Sequence, residues 1–347
     1  MITSKPVCVT GASGFIAAHI VRELLAKGYS VRGTVRNSPG NYPYLLGLPG
    51  ASDRLELVEA ELLSDGAYDR AVEGCDYVMH TASPYEINVK NPQTDLVDPA
   101  VNGTETVLES CLKSGGVKRV ILTSSIAAIT DEPESMKVFT EKDWNTMSSL
   151  DRNPYQYSTT LAERAAWDFI MRKRPRFDLV SINPTMVAGP SLGPSLNTTN
   201  RMIRDIMKGV FPGIMDINWG FVDVRDVAKA HILAMENDTA SGRYLCSAET
   251  MHMNALVALL KSSGFDAYPL PKIDLSGKVG TLFMKGLSFT QPRDTGMFIR
   301  TNIGRTARYD NAKIKRELGL SFMPVKESII ETVKDMVTWG HLPPQKK

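Results

Sequence analysis

The run Val7-Cys8-Val9-Thr10 is apolar without alternation, ends on Gly11 and leads into a helical pattern. A strand with no polar face is one buried on both faces, as happens in parallel sheets covered by helices on either side. The helical pattern spans Phe15 to Ala26, with Ile16, Ile20, Leu24 and Leu25 on one stripe and Gly28 as its stop. That opening commits the chain to alternating strand and helix, and the following residues keep to it. Segments 30–35, 55–60, 76–81, 119–123 and 178–182 read as strands. Helices are predicted over 67–72, 92–114 and from Asn153 to about Lys173, with Asn153 as N-cap and Pro154 at the first helical position. Residues 37–54, rich in Pro, Gly and Asn, read as a long connection with at most a short helix.

The predicted architecture is α/β, a Rossmann-like doubly wound parallel sheet with a smaller, mostly helical C-terminal substrate lobe. Regularity weakens past Pro184. The expected division is a sheet domain over 1–187, to which 221–248 return, with 188–220 and 249–347 forming the second lobe. There, 199–210 reads as a helix whose Met202, Ile203, Ile206 and Met207 suit core or pocket wall, and Asp223 and Asp226 read as cap and first-turn charges of the next helix. A formal charge of +2 over 347 residues gives no ground for nucleic acid or an anionic membrane as partner. No apolar run reaches the ~18 residues of a membrane span, and the N-terminal residues lack signal-peptide architecture. Cys8, Cys75, Cys111 and Cys246 are scattered without CxxC spacing, as expected for free thiols in a reducing cytoplasm, with no metal framework. The chain is expected to be a monomer or homodimer.

Between the first strand and first helix lies Thr10-Gly11-Ala12-Ser13-Gly14-Phe15-Ile16-Ala17. A dinucleotide pyrophosphate meets backbone N–H groups at such a junction. Gly11 allows the tight turn, Gly14 lets phosphate approach the backbone, and Ala17 keeps helix and sheet close. The second strand ends Thr34-Val35-Arg36-Asn37-Ser38, with no carboxylate for an adenosine 2′-hydroxyl. Arg36 offers a planar donor pair for a 2′-phosphate, so NADP(H) is the expected cofactor. Arg32, earlier on the same strand face, is a helper or a solvated charge.

With the glycine loop, Leu122-Thr123-Ser124-Ser125 after the fifth strand and Tyr155 in place, the chain resembles the extended short-chain dehydrogenase/reductases. Within them it is most similar to the group of dihydroflavonol reductases, cinnamoyl-CoA reductases and NADPH-dependent aldehyde/ketone reductases. The resemblance also runs through His80-Thr81-Ala82-Ser83, Leu161-Ala162-Glu163, Pro184-Thr185-Met186-Val187, Gly242-Arg243-Tyr244 and Leu342-Pro343-Pro344. It implies that Gly11, Ser13, Gly14, Phe15 and Ile16 hold the pyrophosphate and Arg36 the 2′-phosphate. Glu61 and Leu62 stand beside the adenine, where Asp-Leu is usual. Thr81, Ala82, Ser83 and Thr123 line the cofactor, and Pro184, Thr185 and Val187 pass its nicotinamide face. A second phosphate-binding lysine after the second strand has no match here.

The same resemblance implies a carbonyl substrate whose oxygen is held by Ser125, second of the serine pair, and protonated by Tyr155. Tyr155 and the residue four later share a helix face. In the family that residue is a lysine, which brings a tyrosine of pKa near ~10 towards neutrality. Here it is Thr159. The expected function is an NADPH-dependent reductase of an aldehyde or ketone, aromatic or flavonoid-like, impaired by Thr159. The alternatives are a catalytically silent NADPH-binding sensor and a sugar-nucleotide epimerase or dehydratase on the same fold. Segments 126–135, 190–220 and 280–300 are expected to shape the pocket, with Phe283, Met284, Phe289 and Met297 serving either pocket or core. His80 reads as a buried, hydrogen-bonded histidine.

Overall fold

The computed structural model describes residues 5–83, 89–134 and 136–345. Its centre is a sheet of seven parallel strands: β1 (Val7–Thr10), β2 (Val31–Val35), β3 (Leu55–Glu59), β4 (Tyr77–His80), β5 (Arg119–Thr123), β6 (Asp178–Pro184) and β7 (Gly242–Cys246). They lie in the spatial order β3-β2-β1-β4-β5-β6-β7. The doubly wound sheet expected from the opening strand is present.

Alternate side chains of each central strand feed two different cores, which is why these strands read as unbroken apolar runs. Val7, Val9, Met79, Ile121, Val180 and Ile182 face a cluster built with α1 (Phe15–Ala26) and a helix later in the chain, Val224–Glu236. Cys8, Val78, Val120, Leu122 and Leu179 face the other layer, with α2 (Asp98–Ser114) and α3 (Pro154–Lys173). The four cysteines are free and buried. β1 has β2 on one side and β4 on the other, so the direction of winding reverses between β1 and β4. In such sheets the crevice at that reversal, outside the carboxyl ends of the strands, is where ligands bind.

A separate core lies in the C-terminal half, where Ile203, Ile206, Met207, Trp219, Phe221, Leu256, Ile329 and Val333 pack together. It contains helices, as expected, and also a three-stranded sheet of Met186–Ala188, Asn218–Asp223 and Glu249–His252 that the sequence reading missed. The connection 37–54 carries three short helical turns, Pro39–Asn41, Pro43–Leu46 and Ala51–Arg54. No helix among the described residues is long and apolar enough to cross a membrane.

The outer edge of β7 is closed by side chains. Leu245 N–H donates to Glu141 Oε1 (3.1 Å), Lys313 Nζ donates to the carbonyls of Ser241 (2.8 Å) and Arg243 (2.7 Å), and Asn311 Nδ2 donates to the Ser247 carbonyl (2.6 Å). These bonds take up backbone groups that a further strand would otherwise use.

Candidate active site

The glycine loop is built around the hydroxyl of Thr10. Its Oγ1 accepts from the amides of Thr81 (3.1 Å) and Ala82 (3.0 Å), so its own proton goes to His80 Nδ1 (3.0 Å). Burial lowers the His80 pKa to about 4, so this ring is neutral and ties β4 to β1. Thr81 Oγ1 returns a bond to the Thr10 carbonyl. Gly11 follows with φ +63°, and a Cβ there would sit 3.1 Å from Ala82 Cα. Both facts call for glycine. Gly14 has no capping side chain at the start of α1, so the first-turn amides of Phe15 and Ile16 are left for an anion. Tyr44 Oη donates to the Ser13 carbonyl (3.0 Å) and braces the loop from outside.

Arg36 stands exposed one residue past β2. Arg32 has a different fate. Its Nε pairs with Glu56 (2.7 Å) and its Nη1 donates to the carbonyls of Arg70 (3.2 Å) and Glu73 (2.7 Å), making it a structural tie. Glu61 is exposed and Leu62 half-buried. Leu62 presses on Gly103 of α2 so closely that a Cβ on Gly103 would lie 2.6 Å from Leu62 Cγ. Open first-turn amides, a glycine cradle and an arginine at the adenosine end together fit an NADP(H) dinucleotide.

At the carboxyl end of β5 three consecutive hydroxyls have three partners. Thr123 Oγ1 meets His231 Nε2 (2.7 Å), while His231 Nδ1 meets the Val227 carbonyl (2.8 Å). Since a carbonyl only accepts, Nδ1 carries the proton and Thr123 donates to Nε2. Burial lowers the His231 pKa to about 4. Ser124 Oγ donates to buried Glu163 (2.6 Å). Ser125 Oγ accepts from the Ala127 amide (3.1 Å), capping the turn Ile126–Ala128. That bond uses a lone pair of Ser125 and not its proton.

Helix α3 begins at Pro154, as expected, but Asn153 is not its capping acceptor. Asn153 has φ +48°, in the left-handed region, makes no side-chain cap, and donates from Nδ2 to Asp131 Oδ1 (2.6 Å). A capping side chain needs an extended backbone; Asn153 instead serves the buried Asp131, which also accepts from Ser148 (2.7 Å) and Arg152 (2.6 Å). Tyr155 lies in the first turn, half-buried. Thr159 Oγ1 donates to the Tyr155 carbonyl (3.0 Å), as does Ser158 Oγ (2.9 Å). Thr159 therefore uses its one proton on its own helix.

A family model described as the NAD dependent epimerase/dehydratase family matches residues 7–246. The chain belongs to this family, the extended short-chain dehydrogenase/reductases. It is 41% identical over 340 residues to the cinnamoyl-CoA reductase CAD2 of Medicago truncatula, covering 95% of each chain. With the tetraketide alpha-pyrone reductase 1 of Arabidopsis thaliana it shares 40% over 347 residues, 97% of this chain and 96% of the other. The crystal structure of Gre2 in complex with NADPH from Candida albicans superposes with a TM-score of 0.80 at 34% identity, covering 96% of this chain and 99% of that one.

In this extended short-chain reductase, Pro184 ends β6 and Thr185 and Val187 follow it, all buried. The Thr185 amide donates to the Cys246 carbonyl (3.1 Å) and its Oγ1 lies 3.3 Å from Ser247 Oγ. Ser83, past the end of β4, is exposed. In the C-terminal half Met284 is buried in the core, whereas Phe283 and Phe289 are 56% and 75% exposed and so are not core residues.

The sequence reading gave no role to Glu163, which proves to be the hub of the site. Its carboxylate receives Ser124, Ser181, Asn183, Trp167 and Arg243, and it is 1% exposed. Burial opposes its charge, but the Arg243 guanidinium and the Ser124 and Ser181 hydroxyls outweigh burial and hold its pKa below the ordinary carboxylate range. One signal was available: Glu163 shares a helix stripe with Ala166 and Ile170, and a carboxylate on an apolar stripe requires a partner.

Proposed function

We propose that this protein is an NADPH-dependent reductase of an aldehyde or ketone, of the aromatic or flavonoid-like kind, and that Thr159 limits its rate. The observation that carries the reading is Ser125 Oγ, whose lone pair, not its proton, is taken by the Ala127 amide at the carboxyl end of β5; Tyr155 lies in the first turn of α3. NADPH, when bound, supplies the hydride. Gly11, Ser13, Gly14, Phe15 and Ile16 would hold its pyrophosphate, Arg36 its 2′-phosphate, and Glu61, Leu62, Thr81, Ala82, Ser83, Thr123, Pro184, Thr185 and Val187 its length. Ser125 Oγ–H donates to the substrate oxygen, and Tyr155 Oη delivers the proton as that oxygen gains charge. The division into a sheet domain (1–187 with 221–248) and a substrate lobe (188–220 and 249–347) belongs to this proposal, with the pocket between them.

Thr159 is uncharged, short and turned onto the Tyr155 carbonyl. It offers no positive charge to favour ionisation of the tyrosine and no arm to reach a ribose. Such a loss of acid/base assistance costs about 10²–10⁴-fold in rate. The same observation favours a second reading, a catalytically silent NADPH-binding sensor. NADPH binding by fluorescence and NADPH oxidation against a carbonyl panel, measured on this chain and on Thr159→Lys, separate the two. Binding by both chains is expected, with turnover at least about tenfold higher in the lysine form. Equal, negligible turnover in both leaves the silent binder; no NADPH binding removes the cofactor assignment.

A further inference from the structure

Ser125 and Tyr155 are carried by different elements, the end of β5 and the first turn of α3, and a single buried carboxylate on α3 bonds to Ser124, the neighbour of Ser125. Glu163 lies two turns after Tyr155 on α3. Its Oε2 accepts from Ser124 Oγ (2.6 Å), Asn183 Nδ2 (2.7 Å) and Arg243 Nη2 (3.2 Å). Its Oε1 accepts from Ser181 Oγ (2.8 Å), Arg243 Nε (2.7 Å) and Trp167 Nε1 (3.2 Å). Asn183 Nδ2 also reaches the Ser125 carbonyl (3.2 Å), so the carboxylate grips Ser125 through the hydroxyl before it and the amide beneath its carbonyl. Arg243 is in turn fixed on the carbonyls of Glu141 (3.0 Å) and Ala128 (3.3 Å) and lies with its guanidinium carbon 3.8 Å from the Trp144 ring centre. The segment 124–128, β6, β7 and α3 thus converge on one charge.

We propose that Glu163 is a positioning residue for the reaction, setting the separation of Ser125 Oγ from the Tyr155 hydroxyl through Ser124 and Asn183. Neither Glu163 nor Asn183 needs to touch substrate for this. The inference rests on the reductase reading above. A misplacement of ~1 Å at a reacting centre costs on the order of 10²-fold in rate, which makes such a hub visible in kinetics.

Glu163→Gln tests the proposal. Each carboxylate oxygen already faces three donors, so the amide of glutamine points N–H at N–H in either orientation, with size unchanged. Asn183→Ala is the milder partner variant, since it leaves Glu163 with Ser124, Ser181, Trp167 and Arg243. Each is made in the parent and in Thr159→Lys. The expected result is NADPH affinity and carbonyl KM within about threefold of the matched background, with kcat lower by about tenfold or more. A purely structural role lowers melting temperature and cofactor affinity while kcat per NADPH-binding molecule stays unchanged, and that outcome overturns the proposal. Crystal structures of both variants give a readout independent of turnover. The Ser125–Tyr155 separation is expected to change, and an unchanged separation overturns the proposal even if no background turns over. Absence of turnover in both backgrounds, with the separation changed, refutes the reductase reading and leaves the positioning contact standing.

Discussion

Arg32 and Arg36 sit four positions apart, and tertiary contacts give them opposite tasks. Arg32 is held by Glu56 and by carbonyls of Arg70 and Glu73, while Arg36 stands exposed past the strand end. Arg36→Ala is therefore expected to weaken NADPH binding about 10–100-fold, the worth of a charge-assisted phosphate contact, and to leave NADH binding unchanged. Parallel fluorescence titrations with the two cofactors check this; equal loss for both removes the 2′-phosphate role. Glu163 behaves differently from either arginine. Removing one partner of a buried ion pair costs about 3–5 kcal/mol because the other charge is left unpaired. Arg243→Ala, which leaves Glu163 buried without an opposite charge, is accordingly expected to destabilise the fold more than Glu163→Gln, which leaves Arg243 on the carbonyls of Glu141, Asp143 and Ala128, as read by denaturant midpoints.

Elements fix what residues cannot. Strand β7 is an edge, and a bare parallel edge invites pairing with another chain. Here Glu141, Lys313 and Asn311 occupy its exposed amide and carbonyls. Burial lowers the Lys313 pKa, yet its ammonium is retained by two carbonyls and by the Tyr244 ring 4.1 Å away. Glu141→Ala with Lys313→Ala uncovers the edge. The double variant is expected to self-associate at concentrations where the parent does not, and light scattering during gel filtration reads the difference. Unchanged mass in the double variant would show that the edge is protected by other means. Helix α3 shows how far an element can be read from its residues. Its bounds follow from Pro154 and the apolar stripe, whereas the turn before it is set by Asp131, twenty-two residues upstream.

At the scale of the whole molecule, Asp226 ties the last quarter of the chain back to the helix Val224–Glu236 that covers the sheet. Its Oδ2 accepts from the Met323 amide (2.8 Å), just before the final helix Val325–Thr338. Burial raises the Asp226 pKa from 3.8 to about 6, aided by the charge of Asp223 and opposed by the Met323 bond, Lys229 and Arg225. A carboxyl whose folded pKa is raised keeps its proton in the fold after the unfolded chain has lost it. Stability from this group therefore falls as pH rises from about 4 to about 6 and stays reduced above. Asp226→Asn keeps the acceptor for Met323 and removes the charge. Its melting temperature is expected to exceed the parent's by roughly 2–4 °C at pH 7.5 and to converge with it towards pH 4, by thermal scans across that range. A gap that persists unchanged at pH 4 would assign the effect to packing.

What the sequence determined by itself was local or periodic. Unbroken apolar strands required a sheet covered on both faces, and the glycine loop between strand and helix announced the dinucleotide crevice. Arg36 in place of a carboxylate pointed to NADP(H), and Tyr155, with Thr159 where the family carries a lysine, raised the expectation of an impaired reductase. Those signals lie within a few residues of one another, where backbone geometry alone links spacing to position. The tertiary structure decided the rest, because the deciding partners are distant in sequence. Arg32 is bound and Arg36 is not, Ser124 is claimed by Glu163 while Ser125 keeps its proton, and Asn153 serves Asp131 instead of its own helix. A buried charge or hydroxyl takes its role from whichever group the fold brings within about 3 Å of it, and that neighbour is written nowhere near it in the chain.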